Sequence, residues 1–91
     1  MNRVFIERYL MNHNIGDELI KLVRKYSESS EDVTNETDLI THLGYDSFDF
    51  VSLVIAIERK FAIEFELEDM DLNSIRNFQN LLNVVERYIK Y

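Results

Sequence analysis

The sequence predicts an all-α protein: a small four-helix bundle with three main helices, one short helix, a long first loop and an N-terminal extension. Apolar residues recur at the 3.6-residue spacing of helices, and the alternation typical of strands is scarce. The chain has no proline and only two glycines, so few residues interrupt a helix. With 91 residues, 46% of them hydrophobic, it is long enough for a single core.

Three stripes of apolar residues at helical spacing predict the three main helices. The first stripe is Leu19, Leu22, Val23 and Tyr26, the second is Phe50, Val51, Val54, Ile57 and Phe61, and the third is Phe78, Leu81, Leu82, Val85 and Ile89. Asn77 is predicted to cap the last of these helices. Between the last two stripes, Leu67, Met70 and Ile75 indicate a short helical or irregular turn. Residues 15–91 are therefore predicted to form one domain.

Two segments lie outside these stripes. Residues 1–14 are predicted to be a helical extension with a break near residues 12–16, and they either pack on the domain, form a dimer contact or dock a partner. Residues 27–46 are rich in Ser, Glu, Asp, Thr and Asn, and they predict the long first loop. This loop is expected to be pinned to the core by its apolar residues, which are Val33, Leu39, Ile40 and Leu43.

Composition excludes several classes of function. The net charge of -7 argues against nucleic acid as a partner, because phosphate binding needs a basic surface. Without cysteine, the chain has no disulfide and no thiol chemistry of its own, and we expect no metal site. The apolar runs are too short for a membrane span, and no secretory signal pattern is found, so a cytoplasmic protein is expected. We also expect a monomer.

Acidic residues are concentrated in the middle of the chain. No Lys or Arg occurs between Lys25 and Arg59, whereas this stretch contains eight acids. Such a distribution is typical either of a solvated face that favours solubility or of a docking surface for basic partners. Composition leaves both interpretations open.

Ser47 stands where a long loop meets the second helix. Gly44 can adopt a positive φ and turn the chain. Asp46 is a good N-cap, and Asp49 three residues later matches the acidic half of a capping box. Ser47 then falls in the first helical turn, where backbone N–H groups and the helix dipole favour a phosphate ester on its hydroxyl.

A catalytic role for Ser47 is not supported. The surrounding sequence is not a Gly-x-Ser-x-Gly elbow, and His13 and His42 are the only histidines. We therefore expect no catalytic residue and no enzymatic activity. A second motif, residues 69–80, begins like a calcium-binding loop but lacks the glycine and the glutamate that such a loop requires, so no calcium site is predicted.

Residues 43–49, Leu-Gly-Tyr-Asp-Ser-Phe-Asp, followed by the helical segment 53–61, resemble the acyl carrier protein family. The similarity extends over about residues 17–89. It implies that Ser47 carries 4′-phosphopantetheine in a phosphodiester bond, installed from coenzyme A by a phosphopantetheinyl transferase with magnesium. The terminal thiol of that arm would hold an acyl group as a thioester for loading and downstream biosynthetic enzymes. Tethering in this way raises the effective concentration of the bound group at each enzyme.

The resemblance also implies roles for residues around Ser47. Asp46 would assist modification and partner contact, and Phe48, Asp49 and Glu58 would contact partner enzymes. The chain departs from the family pattern at Ser52, Arg59 and Lys60, where acids are common, and at Glu66, where proline is common.

These departures predict a specialised lipid, polyketide or natural-product pathway instead of ordinary fatty-acid synthesis. The acid before Ser47 favours an acyl cargo, and an aminoacyl cargo remains an alternative. A different class of function is also open, in which the chain is a non-catalytic interaction module with a carrier-like fold and no prosthetic group.

Overall fold

The computed structural model describes residues 14–89. In this range the chain forms four α-helices and no β-strand, and the helices are α1 (Ile15–Lys25), α2 (Ser47–Phe61), α3 (Leu72–Ile75) and α4 (Phe78–Ile89). A single 3-10 turn, Leu67–Asp69, precedes α3. The all-α prediction, with three main helices and one short helix, is confirmed. The predicted helical extension lies outside the described residues, except for Asn14.

Asn14 fixes the start of α1. Its side-chain Oδ1 accepts a hydrogen bond of 3.1 Å from the N–H of Asp17, as an N-cap does. The helix therefore begins at Ile15, and Gly16 lies in its first turn rather than in the predicted break. Arg24 and Lys25 occupy the last turn of α1, where positive charge is favoured by the helix dipole.

One core joins the three main helices, because α1 packs against both α2 and α4. Its fully buried side chains are Leu19, Val23, Leu39, Leu53, Ile57, Phe78, Leu81 and Val85. Five members of the predicted stripes are not buried: Val51 is exposed, and the half-buried ones are Leu22, Tyr26, Leu82 and Ile89. The core lies on the opposite side of α2 from Val51, because Leu53 and Ile57 define the buried face there.

The long first loop is attached to the junction between α3 and α4. The N–H of Leu39 donates to the carbonyl of Arg76 at 2.7 Å, and the N–H of Phe78 donates to the carbonyl of Thr37 at 2.8 Å. The Arg76 guanidinium also pairs with the Asp38 carboxylate at 2.7 Å. Leu39 and Leu43 are buried, which confirms that apolar residues pin this loop, while Ile40 is half-buried.

Asp38 has an ionised side chain even at acidic pH. Partial burial raises the pKa of its carboxyl group, but hydrogen bonds from the Thr41 N–H, the Arg76 guanidinium and the Ile40 N–H together lower that pKa to about 2. The charged form is stabilised because donors surround it. The same carboxylate thus organises the loop locally and binds it to the end of α3.

The end of α2 is a left-handed cap at Ala62, with φ 56°. The N–H of Ala62 donates to the carbonyl of Glu58, and the Glu58 side chain accepts a hydrogen bond of 2.9 Å from the N–H of Phe65. Asn77 caps α4 as predicted, because its Oδ1 accepts from the N–H of Gln79 at 2.9 Å. None of the helices in residues 14–89 is long and apolar enough to cross a membrane.

Candidate modification site at the start of α2

The chain turns sharply just before α2. Gly44 has φ 73°, in the left-handed region that favours glycine, and its N–H donates to the carbonyl of Ile40 at 3.0 Å. The N–H of Tyr45 donates to the carbonyl of Leu39 at 2.9 Å. These two bonds close the loop and direct Asp46 into the N-cap position of α2.

A reciprocal pair of hydrogen bonds then starts the helix. Asp46 Oδ1 accepts from the N–H of Asp49 at 2.8 Å, and Asp49 Oδ2 accepts from the N–H of Asp46 at 3.1 Å. This arrangement confirms the predicted capping box. The two carboxylates satisfy donors that the helix itself leaves without a carbonyl partner.

Ser47 is the first residue of α2 and is exposed. The N–H groups of Ser47 and Phe48 lie at the same helix end, where N–H groups have no carbonyl partner within the helix. A phosphate ester on the Ser47 hydroxyl would be stabilised by these donors and by the helix dipole, and opposed in part by the charges of Asp46 and Asp49. The position fits a phosphodiester, because it combines solvent access with nearby N–H donors.

Tyr45 anchors this turn to the rest of the bundle. Its side chain is only 3% exposed, and its hydroxyl donates a hydrogen bond of 2.8 Å to the carbonyl of Val23 in α1. Burial, together with the negative charge of Asp49, raises the pKa of the Tyr45 hydroxyl well above its usual range. Sequence reasoning missed this anchor, since the partner is a backbone carbonyl far away along the chain.

An exposed apolar strip extends from Ser47 along α2. We call it the α2 strip, and it consists of Phe48, Val51 and Ile55, which are 79%, 55% and 44% exposed. Their spacing of three and four residues places them on one face of the helix. Phe48 is therefore not a core residue, which the sequence alone had not decided.

The predicted acidic contacts differ in position. Asp49 is half-buried beside Ser47 and takes part in the capping box. Glu58 follows Ser47 by three helical turns, about 16 Å along the axis, and its carboxylate is already hydrogen-bonded to the Phe65 N–H. The structure thus brings Asp46, Phe48 and Asp49 together around Ser47, and places Glu58 at the far end of α2.

A groove opens beside Ser47. It has a volume of about 600 Å³, and it lies between the start of α2 and the segment Met70–Asn73. A second groove of about 330 Å³ continues along α2 past Val54 and Ile55 to Glu58. Both are lined by Phe50, Val51 and Met70. The sequence did not reveal the segment Met70–Asn73 as part of the site.

The other residues weighed from the sequence are engaged elsewhere. His42 Nδ1 accepts a hydrogen bond of 2.8 Å from the N–H of Asp38, so this nitrogen serves the loop rather than a serine nucleophile. The Asp69 carboxylate binds Arg87 and Tyr88, and Asp71 caps α3 through the N–H of Asn73. Within residues 14–89, no group of three or more His, Cys, Asp or Glu side chains is arranged to hold a metal ion.

Comparisons with known proteins agree with this geometry. Residues 17–82 match the family described as "Phosphopantetheine attachment site". The acyl carrier protein of Campylobacter lari is 35% identical over 77 residues, which cover 84% of this chain and 97% of the relative. That of Campylobacter concisus is 35% identical over 66 residues, 72% of this chain and 83% of the relative. That of Buchnera aphidicola is 27% identical over 77 residues, 84% and 96% of the two chains.

The matched segment includes the turn, the capping box and most of the helices of the bundle. Carrier proteins of this kind work with transferases and biosynthetic enzymes, and the chemistry is performed by those partners. On the combined grounds of fold, matched family and relatives, this chain belongs to the acyl carrier protein family, whose members are non-catalytic carriers with covalently attached 4′-phosphopantetheine.

Proposed function

We propose that Ser47 carries the 4′-phosphopantetheine group, and that the chain delivers an acyl thioester to the enzymes of a specialised lipid, polyketide or natural-product pathway. The observation that carries this proposal is the position of Ser47. Its hydroxyl is exposed at the first residue of a capped helix, beside a groove of about 600 Å³. No other serine in the described range combines a capped start of a long helix with such a groove.

The chemistry at this position follows from the local structure. The Ser47 hydroxyl oxygen attacks the phosphorus atom of coenzyme A that bears the pantetheine arm, and the transferase accepts the hydroxyl proton. The pyrophosphate P–O bond of coenzyme A breaks, and adenosine 3′,5′-bisphosphate leaves. The N–H groups of Ser47 and Phe48 favour the resulting negative charge. The attached group supplies the thiol that this chain, which has no cysteine, lacks. Asp46 holds the helix start in shape, and we propose that its outward charge also contacts the transferase.

We propose the α2 strip as the contact surface for the transferase and for the biosynthetic enzymes, with Phe48 at the end next to Ser47 and with Asp49 and Glu58 as acidic contacts. Exposed aromatic side chains are well suited to anchor an interface. Phe48→Ser should lower kcat/KM for modification about tenfold. The matched control is Leu67→Ser, since Leu67 is equally exposed but lies on the 3-10 turn. Equal effects of the two substitutions would contradict this assignment.

The acidic contacts are tested by removing charge while keeping the shape of the side chain. Asp49→Asn and Glu58→Gln each retain an oxygen that accepts the observed backbone hydrogen bond. If the partners are basic, both substitutions should slow modification more at low salt than at high salt. Rates that do not depend on salt or on these substitutions would argue against acidic contacts.

The far end of α2 supports a dedicated set of partners. Arg59 is exposed there, and Lys60 pairs with Glu18 at 3.0 Å. A partner with a uniformly basic docking surface would be repelled at Arg59, because like charges across an interface are unfavourable. We propose that the pathway enzymes of this carrier accommodate a positive charge at that end. Arg59→Glu should then weaken transfer to the cognate enzymes.

We further propose that residues 15–91 are the carrier unit, that residues 1–14 are a separate extension, and that the protein acts in the cytoplasm. Because Asn14 caps α1, a shortened chain should begin at Asn14. Such a chain should be modified at the rate of the full chain. A large loss of modification or stability would show that the extension is part of the carrier unit.

The deciding experiment is intact-mass analysis after incubation with coenzyme A, magnesium and a broad-specificity phosphopantetheinyl transferase. We expect the wild-type mass to increase by one phosphopantetheine and the mass of Ser47→Ala to stay unchanged. Ser30→Ala, at an exposed serine that lines neither groove, is the control and should load like the wild type. Loading of Ser47→Ala would overturn the assignment of the attachment residue.

A further inference from the structure

The hydroxyl of Tyr88 connects α4 to both ends of the 3-10 turn. It accepts a hydrogen bond of 3.0 Å from the N–H of Glu66, the residue before the turn. It also donates a hydrogen bond to the carboxylate of Asp69, the last residue of the turn. The ring of Tyr88 meets the Phe65 ring edge-to-face, with centroids 5.0 Å apart. One side chain therefore holds the whole turn against α4.

Arg87 reinforces the same attachment. Its Nη2 lies 3.0 Å from Asp69 Oδ1, while Tyr88 binds the other carboxylate oxygen. The hydrogen bond from Tyr88, with the charge of Arg87, lowers the pKa of the Asp69 carboxyl, so Asp69 is ionised and accepts from both. Charge-assisted hydrogen bonds of this type are stronger than neutral ones.

This attachment controls the position of Met70. Met70 directly follows the turn and lines both grooves along α2. On the other side, the segment is tied to α2 by the hydrogen bond from the Phe65 N–H to Glu58. Met70 forms the outer wall of both grooves. The segment that leads to Met70 is bound to α2 through Glu58 and to α4 through Tyr88 and Arg87.

We propose that Tyr88 is a positioning residue for the thioester-linked cargo, because its hydroxyl fixes the 3-10 turn and so holds Met70 as the wall shared by the two grooves. The inference rests on the proposed function and extends it to a residue outside the α2 strip. Methionine suits such a wall, since its flexible side chain adapts to cargo of different length. Without the Tyr88 hydroxyl, the Glu66 N–H and the Asp69 carboxylate both lose a partner, and the wall is held to α4 only by the Arg87–Asp69 pair and the ring contact with Phe65.

The first test observes Met70 directly. The chain contains three methionines, Met1, Met11 and Met70, so a sample labelled at the methionine methyl groups gives a simple NMR spectrum. Met70→Leu assigns the Met70 signal. In the wild type, an octanoyl group on the arm should shift this signal more than an acetyl group does. In Tyr88→Phe that difference should disappear, whereas Tyr26→Phe, at a tyrosine at the end of α1, should retain it.

The second test measures how well the thioester is protected. Octanoyl- and acetyl-phosphopantetheine are installed from the corresponding acyl coenzyme A, and each protein is treated with hydroxylamine. Hydroxylamine nitrogen attacks the thioester carbonyl, the C–S bond breaks, and the products are an acyl hydroxamate and the free thiol. The octanoyl thioester should react several-fold more slowly than the acetyl thioester in the wild type, and the two rates should converge in Tyr88→Phe.

Met70→Ala keeps the proposal testable if Tyr88→Phe is poorly folded. It removes the wall without touching the attachment, and the octanoyl and acetyl rates should converge in this variant as well. A merely structural role of Tyr88 would lower thermal stability but leave the ratio of the two rates unchanged, and that result would overturn the proposal. Equal octanoyl and acetyl rates in the loaded wild type would also overturn it, while absence of any loading would instead contradict the proposed function.

Discussion

The hydroxyl of Tyr45 donates a hydrogen bond of 2.8 Å to the carbonyl oxygen of Val23, 22 residues earlier in the chain. This bond connects α1 to the residue that immediately precedes the N-cap of α2. Both partners are buried, so neither can exchange the bond for one to water. The orientation of the helix start that bears Ser47 is therefore set by α1 as well as by the local turn.

Tyr45→Phe tests this connection. The substitution retains the ring and leaves the Val23 carbonyl buried without its donor. We expect the free energy of unfolding to fall by about 1–3 kcal/mol, the usual cost of an unsatisfied buried polar group. Chemical denaturation followed by circular dichroism measures this change. An unchanged midpoint and slope would contradict a structural role for the hydroxyl.

Substitutions of Asp46 separate helix capping from partner recognition. Asp46→Asn keeps an oxygen that can accept from the Asp49 N–H, so stability should remain close to that of the wild type. Asp46→Ala removes the cap and should cost about 1 kcal/mol. If the carboxylate also contacts the transferase, Asp46→Asn should slow modification despite its stability. Modification of Asp46→Asn at the wild-type rate would show that the residue is only a cap.

Ala62→Gly should stabilise the protein. Ala62 ends α2 in a left-handed conformation, with φ 56°, which an L-residue adopts at a cost of about 1–2 kcal/mol. Glycine avoids that cost but has a more flexible unfolded state, so the net gain should be up to about 1 kcal/mol. Thermal and chemical denaturation both measure it, and a loss of stability would contradict the assigned geometry.

Gly44→Ala should have the opposite effect. Gly44 has φ 73°, and a methyl group added there would meet no atom within 4 Å. The expected destabilisation of about 1–2 kcal/mol therefore comes from backbone conformation alone. Because the same turn positions Asp46, modification of Ser47 should also slow. A variant as stable as the wild type would mean that the turn does not need a left-handed residue.

Glu18 predicts a specific dependence of stability on pH. Hydrogen bonds from Lys60 and Lys21 lower the pKa of the buried Glu18 carboxyl to about 2, from an ordinary value of 4.5. A lowered folded-state pKa adds stability above pH 4.5, and that stability is lost as pH falls from 4.5 towards 2. The difference in unfolding free energy between wild type and Glu18→Gln should therefore be large at neutral pH and shrink across this window.

Urea denaturation at a series of pH values measures this difference. Lys60→Gln should show a similar profile, because Lys60 is the main cause of the lowered pKa. A difference between wild type and Glu18→Gln that stays constant down to pH 2 would contradict the assigned pairing.

Local contacts explain why the sequence predicted the helix start. The capping box joins Asp46 and Asp49, which are three residues apart, and the Asn77 cap of α4 is equally local. Such contacts depend on residue type and spacing, which are visible in a single sequence. The prediction of the first helical turn around Ser47 succeeded for the same reason.

Long-range contacts explain what the sequence could not show. Tyr45 bonds to a carbonyl 22 residues away, and Tyr88 bonds to Glu66 across the same separation. Val51 belongs to the apolar stripe that predicts α2, but such a stripe does not show which of its residues are buried. The packing of α1 against α2 decides which face is covered, and Val51 stays exposed. Met70 becomes part of the site only because the segment Met70–Asn73 lies beside the start of α2 in the folded chain.

The attachment of the first loop to the end of α3 has a consequence for biosynthesis. The carbonyl of Arg76 accepts a hydrogen bond from the N–H of Leu39, and the carbonyl of Leu39 accepts one from the N–H of Tyr45. The turn before Ser47 is therefore connected through Leu39 to the end of α3. A nascent chain that has left the ribosome only as far as α2 lacks Arg76, so Leu39 has no partner for its N–H and this connection cannot form. A ribosome-bound chain ending before Arg76 should therefore resist the transferase, and attachment of the arm should follow the synthesis and release of the segment that contains Arg76.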